Sequence, residues 1–341
     1  MKNAIVIAGL FFAFTAYSFA DDASTRSRIM GHLDYLASDI MRGRLTGSAE
    51  ADKAAEYIAS QFQAIGLQTR MQEYCGPHHK NVVGVLPSAS GKYILLGAHY
   101  DHVGTWLGTV YNGADDNASG VSALIEIGRM LAGKQLEYGL ILVAFDAEEW
   151  GLYGSKAFLD KYRDGQIVLM MSLDMVGHLK DEARVFYEGT ATIKDGENLV
   201  RGVKVAGMGV ASSRVSGSVA MTDNFYYSRK KIPCFTVTTH LETSQYHRPT
   251  DDIATLDIGG IALVAEHVAG VTEALQGRIE PTGVLLYGNA KFQAGIDLSL
   301  VYEDLPDPTE INYFARTSRI GCFALVPCGY SMSGPPDLNP D

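Results

Sequence analysis

After its first twenty positions the 341-residue chain has no run of about 20 uninterrupted apolar residues, so no later segment qualifies as a membrane-spanning helix. It also lacks a basic excess. Twenty-eight Lys and Arg face 39 Asp and Glu, a formal charge of -11, which argues against nucleic acid as a partner. The acidity needs no partner, because a solvated acidic surface accounts for it. There is no internal repeat and no long low-complexity tract. Cysteine is scarce, at four residues, and none stands in a CxxC pair. Cys75 and Cys234 have no obvious catalytic neighbour and are read as structural. They could pair or stay free, Cys322 and Cys328 could close a small loop, and three connectivities are open.

What is present is an ordinary globular composition, 47% hydrophobic and 20% charged, enough for one large core or two modest ones. The chain starts Met1-Lys2, stays apolar from Ala4 to Tyr17 and reaches Ser18-Phe19-Ala20, the pattern of a signal peptide cleaved after Ala20. The expectation is a mature protein starting at Asp21, in a periplasm or secreted, with no membrane association after cleavage. Such a compartment permits disulfides.

Apolar residues at helical spacing mark Thr25 to Met41 and Ala49 to Ile65, with Gly66 as a C-cap and GRLTGS breaking the pattern between them. Strands are expected at Val82 to Leu86, Tyr93 to Gly97, Gly139 to Asp146, Ile167 to Asp174 and Cys234 to Thr239. Helices are expected at Ser119 to Leu131, Ser155 to Tyr162 and Ile258 to Leu275. Glu182 to Met221 reads as one hairpin and one helix. Strands apolar on both faces are central strands covered by helices. The alternation indicates an α/β fold: a single three-layer domain with a mostly parallel, mixed central sheet flanked by helices. Beyond Gln276 the character changes. Gly283 to Tyr287 and Leu298 to Tyr302 could be strands, and the Pro/Gly-rich tail SMSGPPDLNPD reads as disordered.

The chain is organised around Leu95 to Gly120, LLGAHYDHVGTWLGTVYNGADDNASG. An apolar run ends abruptly in His99, Tyr100 and Asp101, and Asp116 follows in a Gly-rich turn that opens a helix. An imidazole and a carboxylate brought together where strands end are the usual first ligands of a zinc site, and such edges are where open α/β sheets bind ligands. The later strands also end in acid: Asp146-Ala147-Glu148-Glu149 and Asp174, while the last leads into a loop carrying His247. Carboxylates gathered at one edge repel one another unless a cation neutralises them. Two imidazoles and three carboxylates are about what two zinc ions need if one carboxylate bridges. Taken singly, each acid is more ordinarily a cap or turn residue. His78, His79 and His102 are read as surface groups or as neighbours of the ligands.

Together GAHYDHVG (Gly97 to Gly104), GADDNASG (Gly113 to Gly120), DAEEWGLYGS (Asp146 to Ser155), SLDMVG (Ser172 to Gly177) and YHRPTDD (Tyr246 to Asp252) resemble the co-catalytic zinc aminopeptidases of metallopeptidase family 28. The lead-in LASDIMRGRLTGS also looks like the family's, and the likeness covers roughly residues 25 to 276. It implies that His99 and Asp174 bind one zinc, that Glu149 and His247 bind the other, and that Asp116 bridges them through a cis peptide to Asn117. Glu148 would be the general base, Tyr246 an oxyanion donor, and Asp101 would hold the second ring nitrogen of His99. The implied substrates are peptides with a free N-terminus. The accessory domain that many relatives insert before the first zinc strand is read as absent, and residues 277–341 as an extension of unknown role. The competing readings are a zinc carboxypeptidase or dipeptidase using Arg248, a glutaminyl cyclase-like acyltransferase in which Asp223 of MTDNF would fit equally well, and a non-catalytic binding protein. Every implied ligand is present, which weakens the last.

Overall fold

The computed structural model describes residues 22–161, 165–216, 221–239 and 244–287. In chain order its elements are α1 (Asp22–Leu36), α2 (Ala49–Ala64), β1 (Gln68–Glu73), β2 (Lys80–Leu86), β3 (Tyr93–His99), the short strands β4 (Thr105–Trp106) and β5 (Thr109–Val110), and α3 (Gly120–Leu131). There follow β6 (Gly139–Phe145), α4 (Tyr153–Leu159), β7 (Ile167–Leu173), α5 (Leu179–Glu182), β8 (Arg184–Glu188), α6 (Gly196–Gly202), β9 (Gly209–Ser213), α7 (Phe225–Arg229), β10 (Cys234–Thr238) and α8 (Ile258–Ala274).

Eight strands make one sheet in the order β1-β2-β6-β3-β7-β10-β8-β9, and β4 and β5 form a separate ribbon. The central four, β6, β3, β7 and β10, are mutually parallel. β2 runs antiparallel to β6 and β8 antiparallel to β10, so the sheet is mixed but mostly parallel at its centre. Side-chain alternation divides β3 between two cores. Ile94, Leu96 and Ala98 join a large cluster with Ile29 and Leu33 of α1, Leu124 of α3 and Val264 of α8. Tyr93 and Leu95 join a smaller cluster with Phe158 of α4 and Tyr227 of α7. Both faces are therefore dry, as all-apolar central strands require. Two of the flanking helices, α2 and α8, are capped by their own side chains. Ser48 Oγ accepts from Ala51 N–H at 3.1 Å at the start of α2, and the Asp257 carboxylate accepts from Gly260 N–H at 2.9 Å at the start of α8.

Four expectations are corrected. The first helix stops at Leu36, because Ser38 is extended and Asp39–Met41 makes only a separate single turn. Gln68–Glu73 is an edge strand where none was expected: its sequence QTRMQE is polar, and none of its residues is fully buried. The expected hairpin after Glu182 is instead a parallel pair, β8 beside β9, joined through α6. Gly283 to Tyr287 is not a strand; that segment folds back over the sheet edge with Leu286 fully buried. Leu298 to Tyr302, the tail and residues 1–20 lie outside the described residues. Cys234 is free and buried, so Cys75 and Cys234 do not pair. Cys322 and Cys328 are also outside the described residues. Among the described residues no helix is long and apolar enough to cross a membrane.

Candidate metal centre

The parallel run β6, β3, β7, β10 brings four strand ends to one edge. His99 is the last residue of β3, Glu148 and Glu149 follow β6, Asp174 follows β7, and His247 lies in the segment beyond β10. Asp116 arrives from the turn Ala114–Ser119 that opens α3. Its neighbours fix that turn. Asp251 accepts from the backbone N–H groups of Asp115 at 2.7 Å and Asp116 at 3.0 Å. Asn117 donates to Leu173 O at 2.9 Å and accepts from Gly120 N–H at 3.0 Å, tying the turn to the end of β7. The Asp116-Asn117 peptide is cis. Gly113, at φ +57°, has no room for a side chain: a Cβ there would lie 2.4 Å from Asp116 O and 2.5 Å from the His102 ring.

Two groups of potential ligands result, His102, Asp116, Glu149 and His247 in one and His99, Glu148 and Asp174 in the other, each with its ligand atoms within 4.8 Å of one another. Asp116 faces both. Its Oδ1 is 3.2 Å from His99 Nε2 and its Oδ2 is 3.3 Å from His247 Nε2. His99 Nε2 is also 3.7 Å from Asp174 Oδ1, and His247 Nε2 is 2.7 Å from Glu149 Oε2. An ion about 2.0–2.1 Å from two ligands at a tetrahedral angle sets them about 3.3 Å apart, which falls inside this spread. Despite these short separations, His247 Nε2 and Asp116 Oδ2 are buried and make no hydrogen bond. Atoms that approach without hydrogen-bond alignment converge on a common point, as ligands do. The donor set, imidazole and carboxylate with no sulfur, suits a zinc-like divalent ion with open positions.

The electrostatics agree. Burial works against a charge on His247, yet Asp116 and Glu149 raise its pKa to about 10. Burial likewise opposes a charge on His99, but Glu148, Asp101, Asp116 and Asp174 push it well above the usual range. Burial raises the Glu148 carboxyl well above its ordinary value, with Glu149, Asp223 and Asp174 adding to the rise and His99 opposing it. Burial also opposes ionisation of Asp116, but the close imidazoles of His247 and His99 hold it well below the usual range.

All five expected ligands and the expected base Glu148 come together, while of their neighbours Asp101 stands differently. The Asp101 carboxylate is 3.7 Å from His99 Nδ1, whose closer partner is Asp101 O at 3.2 Å. The carboxylate instead accepts from Glu148 and Glu149 N–H at 3.1 and 3.3 Å, because Ala147, at φ +56°, turns those amides toward it. Of the two readings of His102 the structure fits the neighbour of a ligand: it is fully buried, with Nδ1 2.9 Å from Glu149 Oε1. Tyr246 is half exposed at the rim, its ring stacked on His247 at 3.8 Å between centroids. His78 pairs with Asp52, His79 Nδ1 lies 3.4 Å from Asp146, and Arg248 is exposed.

Arg44, inside GRLTGS, was not singled out by sequence. It is fully buried beneath the site and donates to Tyr100 O and Asn112 O at 2.7 Å, to Gly113 O at 2.8 Å and to Leu36 O. Burial lowers its pKa to about 10, against the pull of Asp251, Asp101, Asp116 and Glu149. Asp251 was likewise passed over except as a letter of YHRPTDD. In each case the only sequence cue was a polar residue in a loop.

A layered α/β fold with two carboxylate-imidazole groups at the ends of parallel strands defines a class of metal-dependent hydrolases. The model of Peptidase family M28 matches residues 81–272, more than half of the chain, and the chain belongs to that family. Among its relatives, Uncharacterized protein YfbL of Escherichia coli K12 is 29% identical over 64% of this chain and 78% of its own length. Leucine aminopeptidase 1 of Blastomyces gilchristii is 26% identical over 77% of this chain and 78% of its own. The fold is shared with BSAP, a zinc aminopeptidase from Bacillus subtilis, at a TM-score of 0.61 and 15% identity, covering 72% of this chain and 93% of that one.

Proposed function

We propose that this peptidase is an exported, zinc-dependent aminopeptidase that removes N-terminal residues from peptides, with two zinc ions held about Asp116. The observation that carries the reading is the shared carboxylate, whose two oxygens face two different imidazoles at 3.2 and 3.3 Å. His99 and Asp174 would hold one ion, and Glu149 and His247 the other. Aminopeptidase names among the relatives and a zinc aminopeptidase among the structural neighbours support the choice. Export rests on the pattern of residues 1–20 alone.

Zinc, when bound, supplies Lewis acidity and acidifies a water. The chain supplies the rest. Glu148 stands in the His99 group, where it would take a proton from the attacking water and pass it to the leaving amine. Asp101 holds the backbone of Glu148 and Glu149, which keeps base and ligand in register. Tyr246, at the rim, donates its phenol to the oxyanion that develops on the scissile carbonyl. His102 orients Glu149 through its 2.9 Å contact.

The test is a panel of aminoacyl reporter amides with N-acetylated and N-glutaminyl controls, run with and without a chelator. Hydrolysis of free-amine substrates that disappears with the metal and with N-acetylation supports the reading. Comparable rates on acetylated substrates refute it, and rapid cyclisation of N-terminal glutamine replaces it with the acyltransferase reading.

A further inference from the structure

Beyond α8 the chain turns back and bonds along the far side of the sheet. Lys194 N–H donates to Glu280 O at 2.9 Å, Thr282 N–H to Thr192 O at 3.0 Å, Ser216 N–H to Leu286 O at 2.7 Å, and Leu286 N–H to Ser228 Oγ at 3.1 Å. Leu286 is fully buried in the smaller core. This anchoring delivers Tyr287 to the turn Thr222–Phe225. Its hydroxyl donates to Asn224 Oδ1 at 2.6 Å and accepts from Thr222 N–H at 3.1 Å, and its ring meets Phe225 edge-on with centroids 5.4 Å apart. Asn224 is itself fully buried, and its amide donates to Phe235 O at 3.2 Å and Thr236 Oγ1 at 2.9 Å on β10. The turn is thus clamped between a sheet strand and a residue of the extension.

Between the two clamped residues Thr222 and Asn224 sits Asp223. It is 1% exposed, and neither carboxylate oxygen has a well-aligned hydrogen-bond donor, although the Ser155 hydroxyl is close enough to favour its charge. It belongs to neither ligand group, yet it is close enough to interact electrostatically with His99, Asp174 and Glu148. A single nearby hydroxyl does not offset the burial of a carboxylate, whose charge is favoured when a cation comes to it. Under the aminopeptidase reading such a cation is part of every substrate.

We propose that Tyr287 is a positioning residue: acting through Asn224, it sets the Thr222–Phe225 turn so that Asp223 receives the α-ammonium group of the substrate. The inference rests on the aminopeptidase reading and adds to it a specific acceptor for the amine and a role for the chain beyond the last helix. Without the phenol, Asn224 Oδ1 keeps only the Thr222 hydroxyl at 3.0 Å and the Thr222 amide loses its acceptor, which loosens the turn on the side away from β10.

The experiment compares two hydroxamates on the zinc-loaded enzyme by calorimetry: leucine hydroxamate and its counterpart without the amine, 4-methylpentanohydroxamate. Both present the same chelating group, so their affinity ratio reports what the amine adds, and the Asp223→Asn comparison isolates the part owed to Asp223. For the wild type the ratio should favour the amine by roughly 10- to 100-fold, the scale of a charged hydrogen bond. Asp223→Asn should abolish the preference with zinc content unchanged. Tyr287→Phe, which keeps the ring, should reduce it at least about threefold, a small fraction of such an interaction. A merely structural role would lower the melting temperature and weaken both ligands equally; an intact amine preference in Asp223→Asn or Tyr287→Phe therefore overturns the inference. A wild type that shows no amine preference and turns over no free-amine substrate overturns the aminopeptidase reading instead.

Discussion

Arg44→Met removes a guanidinium that holds four backbone carbonyls, those of Leu36, Tyr100, Asn112 and Gly113, while keeping most of the side-chain volume. Each buried acceptor left unpaired costs about 1–3 kcal/mol, so four give an upper bound of about 4–12 kcal/mol if the site stays dry. Water entry relieves part of this, and breaking a buried charged contact typically costs about 3–5 kcal/mol, which is the expected loss here. Against a total stability of about 5–15 kcal/mol that loss is large. At about 2–4 °C per kcal/mol for a domain of this size it corresponds to a melting temperature lower by about 6–20 °C. Arg44→Lys should recover little, since an ammonium cannot reproduce the planar fork that reaches carbonyls in several directions. Differential scanning calorimetry on metal-loaded protein measures this. A melting temperature within 2 °C of wild type for Arg44→Met, roughly 1 kcal/mol or less, would show that the guanidinium does not hold these loops together.

Glu148→Gln should keep both metals and lose roughly 10²- to 10⁴-fold in turnover, while Glu149→Ala should lose metal, with elemental analysis beside kinetics telling the two apart. His102→Ala should weaken metal affinity by roughly 10- to 100-fold through Glu149, read by competition with a chromogenic chelator; unchanged affinity would remove His102 from the site's support. Glu126 on α3 is fully buried in side chain; burial opposes its charge, but His32 and Arg28 hold its pKa near 2, below the ordinary 4.5. Because the folded value lies below the unfolded one, the contribution of this pair is whole above about pH 4.5 and is lost as pH falls toward 2, about 3 kcal/mol in all. Glu126→Gln should therefore lower stability in urea titrations at pH 7 and matter progressively less below pH 4.5; a pH-independent difference would contradict the assignment.

The central sheet and the site were legible because both rest on patterns dense in the sequence. β3, β6 and β7 are nearly unbroken apolar runs, and each ends in His99, Glu148-Glu149 or Asp174 where the side chains must meet. β1 was not legible because an edge strand with a solvated face needs no apolar alternation. The parallel pairing of β8 with β9 was not legible because α6, the short helix that makes their connection a crossover, carries too weak a pattern to separate it from a hairpin loop. Arg44 and Asp251 act on partners remote in sequence, Asp251 reaching Asp115 across 136 positions, and nothing local marks such a contact. The same holds for Tyr287, whose turn at Thr222–Phe225 is distant in the chain.

Anomalous diffraction at the zinc edge, on crystals of the zinc-loaded protein, tests the central claim most directly. Two ions sharing a carboxylate should give two peaks about 3.5–4 Å apart, one on each side of Asp116, with His99 and Asp174 at the first and Glu149 and His247 at the second. A single peak at full zinc saturation, or peaks that do not flank Asp116, would contradict the account.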